Sequence, residues 1–126
     1  MKILIIDDDY DGAVTLKALL MSQEGYEIDV TYNGKLGLEM MKANPDYDLL
    51  ILDVMMPEFS GVDVCKAMSQ DEKLKKIPVL LASALPINSN ELEELLDQFK
   101  SLVVVKGSIE KPFVVESILA EIKKIV

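Results

Sequence analysis

Apolar residues along this chain fall into two alternating kinds of segment. Ile3-Leu4-Ile5-Ile6, Leu49-Leu50-Ile51-Leu52 and Val79-Leu80-Leu81-Ala82 are short runs with no polar face. Strands covered by helices on both sides read this way, because neither face meets water. Longer stretches between them place apolar residues every three or four positions, the period of a helix with one buried stripe. A first strand over Lys2–Ile6 is followed by an expected helix from about Asp11 to Glu24, with Val14, Leu16, Leu19 and Leu20 inward. A strand over Tyr26–Thr31 and a helix over Gly34–Asn44, carrying Leu36, Leu38, Met40 and Met41, come next, and Asn44-Pro45-Asp46 stops that helix. Val62, Cys65 and Met68 mark a third helix. Asn90 is placed to cap a fourth, with Glu93 as its capping-box partner and Leu92, Leu95, Leu96 and Phe99 facing inward. Leu102–Val105 reads as the fifth strand and Pro112–Lys124 as the last helix. Five β-α units in succession predict one α/β domain over residues 1–126, a mainly parallel sheet between two layers of helices.

Ligands of such sheets bind beyond the carboxyl ends of the strands, so the residue after each run matters. Asp7, Asp8 and Asp9 follow the first strand, Asp53 the third and Ser83 the fourth, and Lys106 or Lys111 lies at or beyond the end of the fifth. Carboxylates gathered on one edge repel, and a hard divalent cation removes that penalty. Oxygen ligands without histidine or cysteine favour Mg²⁺ over zinc. Beside such a cation an aspartate can act as a nucleophile towards phosphorus. Asp53, alone at its strand end, is the candidate nucleophile, and Asp7 with Asp8 the candidate metal pair.

Composition narrows the field. With 22 acidic and 13 basic side chains the net charge is −9, which excludes a basic groove for nucleic acid. The chain has no histidine, so the usual general base and zinc ligand are absent. The single cysteine, Cys65, sits in an apolar pattern and reads as a buried thiol. No apolar run approaches the roughly 20 residues of a membrane span, and the first run meets three aspartates at once, unlike a signal peptide. No membrane insertion and a cytoplasmic setting are therefore expected. Met1 followed directly by a strand reads as an authentic start, while a stand-alone chain and a piece of a longer regulator both stay open.

Four fragments in order, Ile5-Ile6-Asp7-Asp8-Asp9, Leu50-Ile51-Leu52-Asp53-Val54-Met55-Met56-Pro57 with Gly61, Pro78-Val79-Leu80-Leu81-Ala82-Ser83-Ala84, and Lys111-Pro112-Phe113, resemble the signature segments of receiver domains in two-component signal transduction. The resemblance covers essentially the whole chain. It implies a doubly wound, flavodoxin-like three-layer sandwich with a five-stranded parallel sheet of order 2-1-3-4-5. It also implies a phosphorelay protein that takes a phosphoryl group from a sensor histidine kinase or histidine phosphotransfer protein and signals to a downstream effector. By the same resemblance Asp53 is the phosphoacceptor, Asp8 the direct Mg²⁺ ligand and Asp7 the carboxylate reaching the metal through water. The Met55 carbonyl is implied as a further ligand, Ser83 as the switch hydroxyl, and Lys111 as the lysine pairing with Asp53 or its phosphoryl oxygens.

Two departures from that pattern stand out. Lys111 lies 28 residues after Ser83, more than is usual, whereas Lys106 lies 23 residues after it. Either Gly107–Glu110 is an inserted turn that returns Lys111 to the site, as the Lys-Pro-Phe match favours, or Lys106 takes the ammonium role. An aromatic residue usually stands three before the lysine; here that place holds Ser108, or Val103 if Lys106 serves. Apolar Met55 and Leu85, each two residues beyond an implied site residue, imply restricted water access and a long-lived phosphoaspartate.

Three other readings compete. Asp7–Gly12 mimics a calcium-loop opening, but Ala18 replaces the bidentate Glu and a strand precedes it. A haloacid-dehalogenase-like phosphatase would use Asp7 as nucleophile and Asp9 as acid, leaving the Asp53 segment unexplained. A non-phosphorylated protein-interaction module on the same fold would draw on the surplus apolar residues of the last helix, Val114, Val115, Ile118, Leu119, Ile122, Ile125 and Val126. The same surplus suggests contact with a second copy as a homodimer.

Overall fold

The computed structural model describes residues 1–23, 25–54, 56, 59–83, 90, 94, 97, 105–110 and 114–125. In chain order its elements are β1 (Lys2–Ile6), α1 (Tyr10–Met21), β2 (Glu27–Thr31), α2 (Gly34–Ala43), β3 (Leu49–Asp53) and α3 (Gly61–Ser69), then a 3-10 turn (Leu74–Lys76), β4 (Val79–Ser83), β5 (Val105–Glu110) and a last helix, Val115–Ile125. The five strands form one parallel sheet of order β2-β1-β3-β4-β5, the expected order.

Alternation along the central strands builds two cores. Leu4, Ile6, Leu50 and Leu52 face α2 and α3, where Leu38, Met41, Cys65 and Met68 close the layer. Ile3, Ile5, Leu49 and Ile51 face the other way, against Ala13, Leu16 and Leu20 of α1 and Ile118 and Ile122 of the last helix. Leu119 and Ile125 pack on that second core too, while Val114 is exposed. Four of the last helix's apolar residues are thus spent on its own sheet. Val115's side chain and Val126 lie outside the described set.

Local signals account for the helix starts. Asn33 caps α2, its side chain accepting from the N–H groups of Lys35 (2.8 Å) and Leu36 (3.2 Å). Ser60 and Asp63 form a capping box at α3: Asp63 Oδ2 accepts from Ser60 N–H at 3.0 Å, and Ser60 Oγ from Asp63 N–H at 3.4 Å.

Several expectations are corrected. Val14 is exposed, because the inward stripe of α1 is Ala13-Leu16-Leu20, at spacings of three and four. The expected α2 is present, its buried stripe running through Gly34, Gly37, Leu38 and Met41 and leaving Leu36 exposed. Asn90 is itself helical and exposed, as are Glu94 and Asp97, so Asn90 does not stand as a cap before its helix. Leu92, Glu93, Leu95, Leu96 and Phe99 lie outside the described residues.

The fifth strand is the largest revision. It is described over Val105–Glu110 and so continues five residues beyond the expected end at Val105; Leu102–Val104 lie outside the described residues. This strand pairs on one side with β4 and alternates half-buried Val105, Gly107 and Ile109 with exposed Lys106 and Ser108. Continuous apolar runs mark central strands, and such an edge carries none. Val105 pairs with Val79 and Gly107 with Leu80, so Lys106 is an extra residue in a bulge. The bulge reverses the side-chain phase: Val105 packs on the α2–α3 core and Ile109 on the opposite one.

Two outcomes are expected. A Cβ at position 37 would lie 2.8 Å from Ile6 Cγ1 and 3.3 Å from Thr31 Cγ2, and Ile6 is fully buried. Gly37→Ala should therefore destabilise by about 1–3 kcal/mol in urea unfolding. Burial pushes the Cys65 thiol up to about 12, so it stays protonated and unreactive at pH 8. A thiol-specific reagent should label it only after denaturant is added.

Candidate functional site

Ile6 pairs with Leu52, so the residues that follow them, Asp7 and Asp53, emerge side by side from the middle of the sheet. The ladder continues past both strands: Asp7 N–H donates to the Thr31 carbonyl at 3.1 Å, and Val54 N–H to the Ala82 carbonyl at 3.0 Å. Each strand end is therefore fixed to its outer neighbour by a backbone bond before the side chains are considered. Asp7 and Asp53 are buried, Asp8 is exposed, and one carboxylate oxygen from each lies within 4.8 Å of the others.

Two close approaches shape this edge. Gly61, the first residue of α3, lies against the chain leaving β3: a Cβ there would sit 2.8 Å from the Asp53 carbonyl oxygen and 3.2 Å from Val54 Cα. Both are backbone atoms that cannot yield, so only glycine brings α3 this near to Asp53. At the other side Asp9 N–H donates to Asp7 Oδ1 at 2.9 Å. The Asp9 carboxylate itself folds over Gly12, whose Cβ would lie 2.7 Å from Asp9 Oδ2. Asp9 thus orients Asp7 through its backbone and stands outside the carboxylate cluster. The sequence flags Gly61 as part of a motif; its steric reason, and the Thr31 carbonyl, need the fold.

Octahedral Mg²⁺ takes oxygens at about 2.1 Å, which puts neighbouring ligands about 3 Å apart and opposite ones about 4 Å apart. The carboxylate oxygens, gathered within 4.8 Å of one another, lie near that spacing. All three donors are hard oxygens, so the residues present fit a divalent cation of this kind.

The remaining expected residues divide. Ser83 ends β4 and pairs with Glu110, while its side chain lies outside the described set. Met55, Leu85 and Lys111 lie outside the described residues. Lys106 is exposed in the bulge at the start of β5, opposite the Val79–Leu80 step. That is four residues upstream of Glu110, or about 13 Å along a strand, so Lys106 is not at the strand end that carries the carboxylates. Ser108 is exposed on β5 opposite Leu81, with no aromatic ring in that place.

A doubly wound parallel sheet with an acidic cluster at the switch between β1 and β3 defines the class. Residues 3–123 match the family model of the response regulator receiver domain, and the chain belongs to that family. It is 31% identical over 122 residues to the response regulator ArlR of Staphylococcus saprophyticus, covering 97% of this chain and 50% of that protein. It is 37% identical over 95 residues to the transcriptional regulatory protein CpxR of Escherichia coli, covering 75% of this chain and 37% of that one. The chain thus spans about half the length, or less, of these curated relatives. Among solved structures it resembles the chemotaxis protein CheY4 of Vibrio cholerae, with a TM-score of 0.85, 26% identity, and 99% and 98% of the two chains covered.

Crowding of like charge makes a testable contribution to stability. Asp8 is the exposed member, so its repulsion is screened to on the order of 0.5–1 kcal/mol. In the presence of a chelator, Asp8→Asn should raise the urea midpoint; an unchanged or lowered midpoint would show that the three carboxylates do not repel.

Proposed function

We propose that this receiver domain accepts a phosphoryl group on Asp53 from a histidine kinase or histidine phosphotransfer protein, in a Mg²⁺-dependent reaction. The observation that carries the reading is the placing of Asp53 beside Asp7 and Asp8 at the ends of two paired central strands. A carboxylate oxygen of Asp53 attacks phosphorus opposite the phosphohistidine nitrogen. The O–P bond forms as the P–N bond breaks, and the electron pair leaves with the imidazole. Backbone hydrogen bonds and the Gly61 contact fix Asp53, so little reorganisation is needed. Asp7, Asp8, Asp53 and the Met55 carbonyl would hold the cation, which would offset charge on the phosphoryl oxygens. Lys111 supplies an ammonium to the same oxygens and Ser83 a hydroxyl donor. In this reading the domain catalyses its own phosphorylation and dephosphorylation, and works as a switch.

Support for Lys111 over Lys106 comes from β5 itself, which reaches Glu110 before the chain continues to Lys111. The phosphatase alternative is disfavoured because Asp9, its required acid, is turned away over Gly12. Signal output goes to a partner protein or effector domain, without direct nucleic-acid contact by this domain; self-association through the last helix would be a separate property. The relative RpaA of Synechocystis is named a DNA-binding transcriptional regulator, which suits an effector outside the residues of this chain. None of the described helices is long and apolar enough to cross a membrane, and the proposed setting is the cytoplasm.

Incubation with Mg²⁺ and acetyl phosphate, followed by intact-mass and peptide mapping, tests the reading. Wild type should gain one phosphoryl group on Asp53, and Asp53→Asn none. Lys111→Ala should slow uptake by about tenfold or more, while Lys106→Ala leaves it unchanged. A phosphoryl group trapped on Asp7 would favour the phosphatase. No labelling in any variant would leave an interaction module.

A further inference from the structure

β2 is the outermost strand on its side of the sheet and pairs with β1 alone. Its ladder decides which backbone groups look outward. Glu27 N–H donates to the Met1 carbonyl at 2.8 Å, and the Thr31 carbonyl accepts from Asp7 N–H at 3.1 Å. Glu27, Asp29 and Thr31 therefore turn their N–H and C=O groups towards β1, and the alternate residues Ile28 and Val30 turn theirs away from the sheet.

A groove of about 530 Å³ follows this edge. Asp29 and Val30 form its floor, Val14 and Met21 of α1 one wall, and Met40 of α2 the other. Tyr10 and Tyr32, rings 5.0 Å apart, line its end nearest the carboxylates. Of the six large hydrophobic residues exposed among the described residues, four (Tyr10, Val14, Met21 and Tyr32) gather here. Such a concentration marks a contact surface rather than scattered exposure.

We propose that this groove takes one extended segment of a partner protein as an added strand against β2, and that the segment alternates apolar with basic residues. The outward N–H and C=O groups of Ile28 and Val30 supply the main-chain bonds. A partner residue opposite Val30 lies on the α1 side, against Val14 and Met21, where an apolar side chain fits. Lys17 on the same wall disfavours a cation there. A partner residue opposite Asp29 lies on the other side of the sheet, beside that carboxylate and near Glu27, where a basic side chain fits. The net charge of −9 draws the same kind of partner.

A second copy meets the opposite conditions. Antiparallel pairing of two β2 edges centred on Ile28 sets Asp29 of one copy against Glu27 of the other. Centring on Asp29 sets that residue against itself. Like charges directly opposed destabilise a sheet; centring on Val30, which sets Asp29 against Thr31, avoids that clash and is the single register open to a second copy.

Amide hydrogen exchange followed by NMR at physiological salt tests this on the intact chain. The probes are a synthetic octapeptide alternating valine and lysine, and one of the same composition with the two residue types in separate blocks. At saturation the alternating peptide should slow exchange at Ile28 and Val30 by about tenfold or more, leaving Glu27 and Asp29 unchanged. Asp29→Asn keeps an acceptor for the Tyr47 hydroxyl, which donates to Asp29 at 2.6 Å, and should weaken peptide binding about two- to five-fold. Equal protection by the block peptide overturns the proposal, as does binding without protection at these two amides or no binding in the millimolar range. Protection that grows with protein concentration alone assigns the edge to a second copy instead.

Discussion

Ile3–Ile6 and Leu49–Leu52 lie side by side in parallel register and are almost wholly removed from water. Each of these eight side chains contributes about 1.5–3 kcal/mol on burial. Two carboxylates held as close as Asp7 and Asp53 oppose one another by about 1–3 kcal/mol. The core therefore dictates the charge arrangement, because separating the aspartates by a slip of one residue would turn both apolar sets to the wrong faces. The acidic cluster is thus a consequence of hydrophobic pairing, and its gathered carboxylate oxygens are the kind of donors that fit a divalent cation.

The central strands and their order were legible because a parallel sheet buries both faces and writes itself as unbroken apolar runs. Asp7, Asp8 and Asp53 could be placed together from the sequence for the same reason: each follows such a run. Helices were legible to within about three residues at their ends, but the inward stripe of α1 was misjudged at Val14. A helical period fixes spacing and leaves the angle towards the sheet to packing. The continuation of β5 from Lys106 to Glu110 was missed because an edge strand shares the polar alternation of a loop. The carbonyl of Thr31 and the contact of Gly61 with Asp53 could not be read at all, since both join residues distant in the chain through backbone atoms.

β2 connects two parts of the molecule that the sequence keeps apart. Its last residue accepts the Asp7 N–H, and the next, Tyr32, stacks beside Tyr10 at the head of α1. A shift of β2 along its axis would be felt at Asp7 through a single hydrogen bond. The carboxylate edge and the open strand edge thus share one rigid element and one aromatic pair.

The extra residue at Lys106 has a meaning for how this chain tolerates changes in length. Pairing from Leu80–Gly107 to Ser83–Glu110 is regular, and the irregularity is confined to the amino end of the strand. One residue more or fewer at the bulge is thereby taken up before the chain reaches the carboxyl edge. The bulge works as a slack link: it alters the count along β5 while the residues arriving beside Ser83 keep their place.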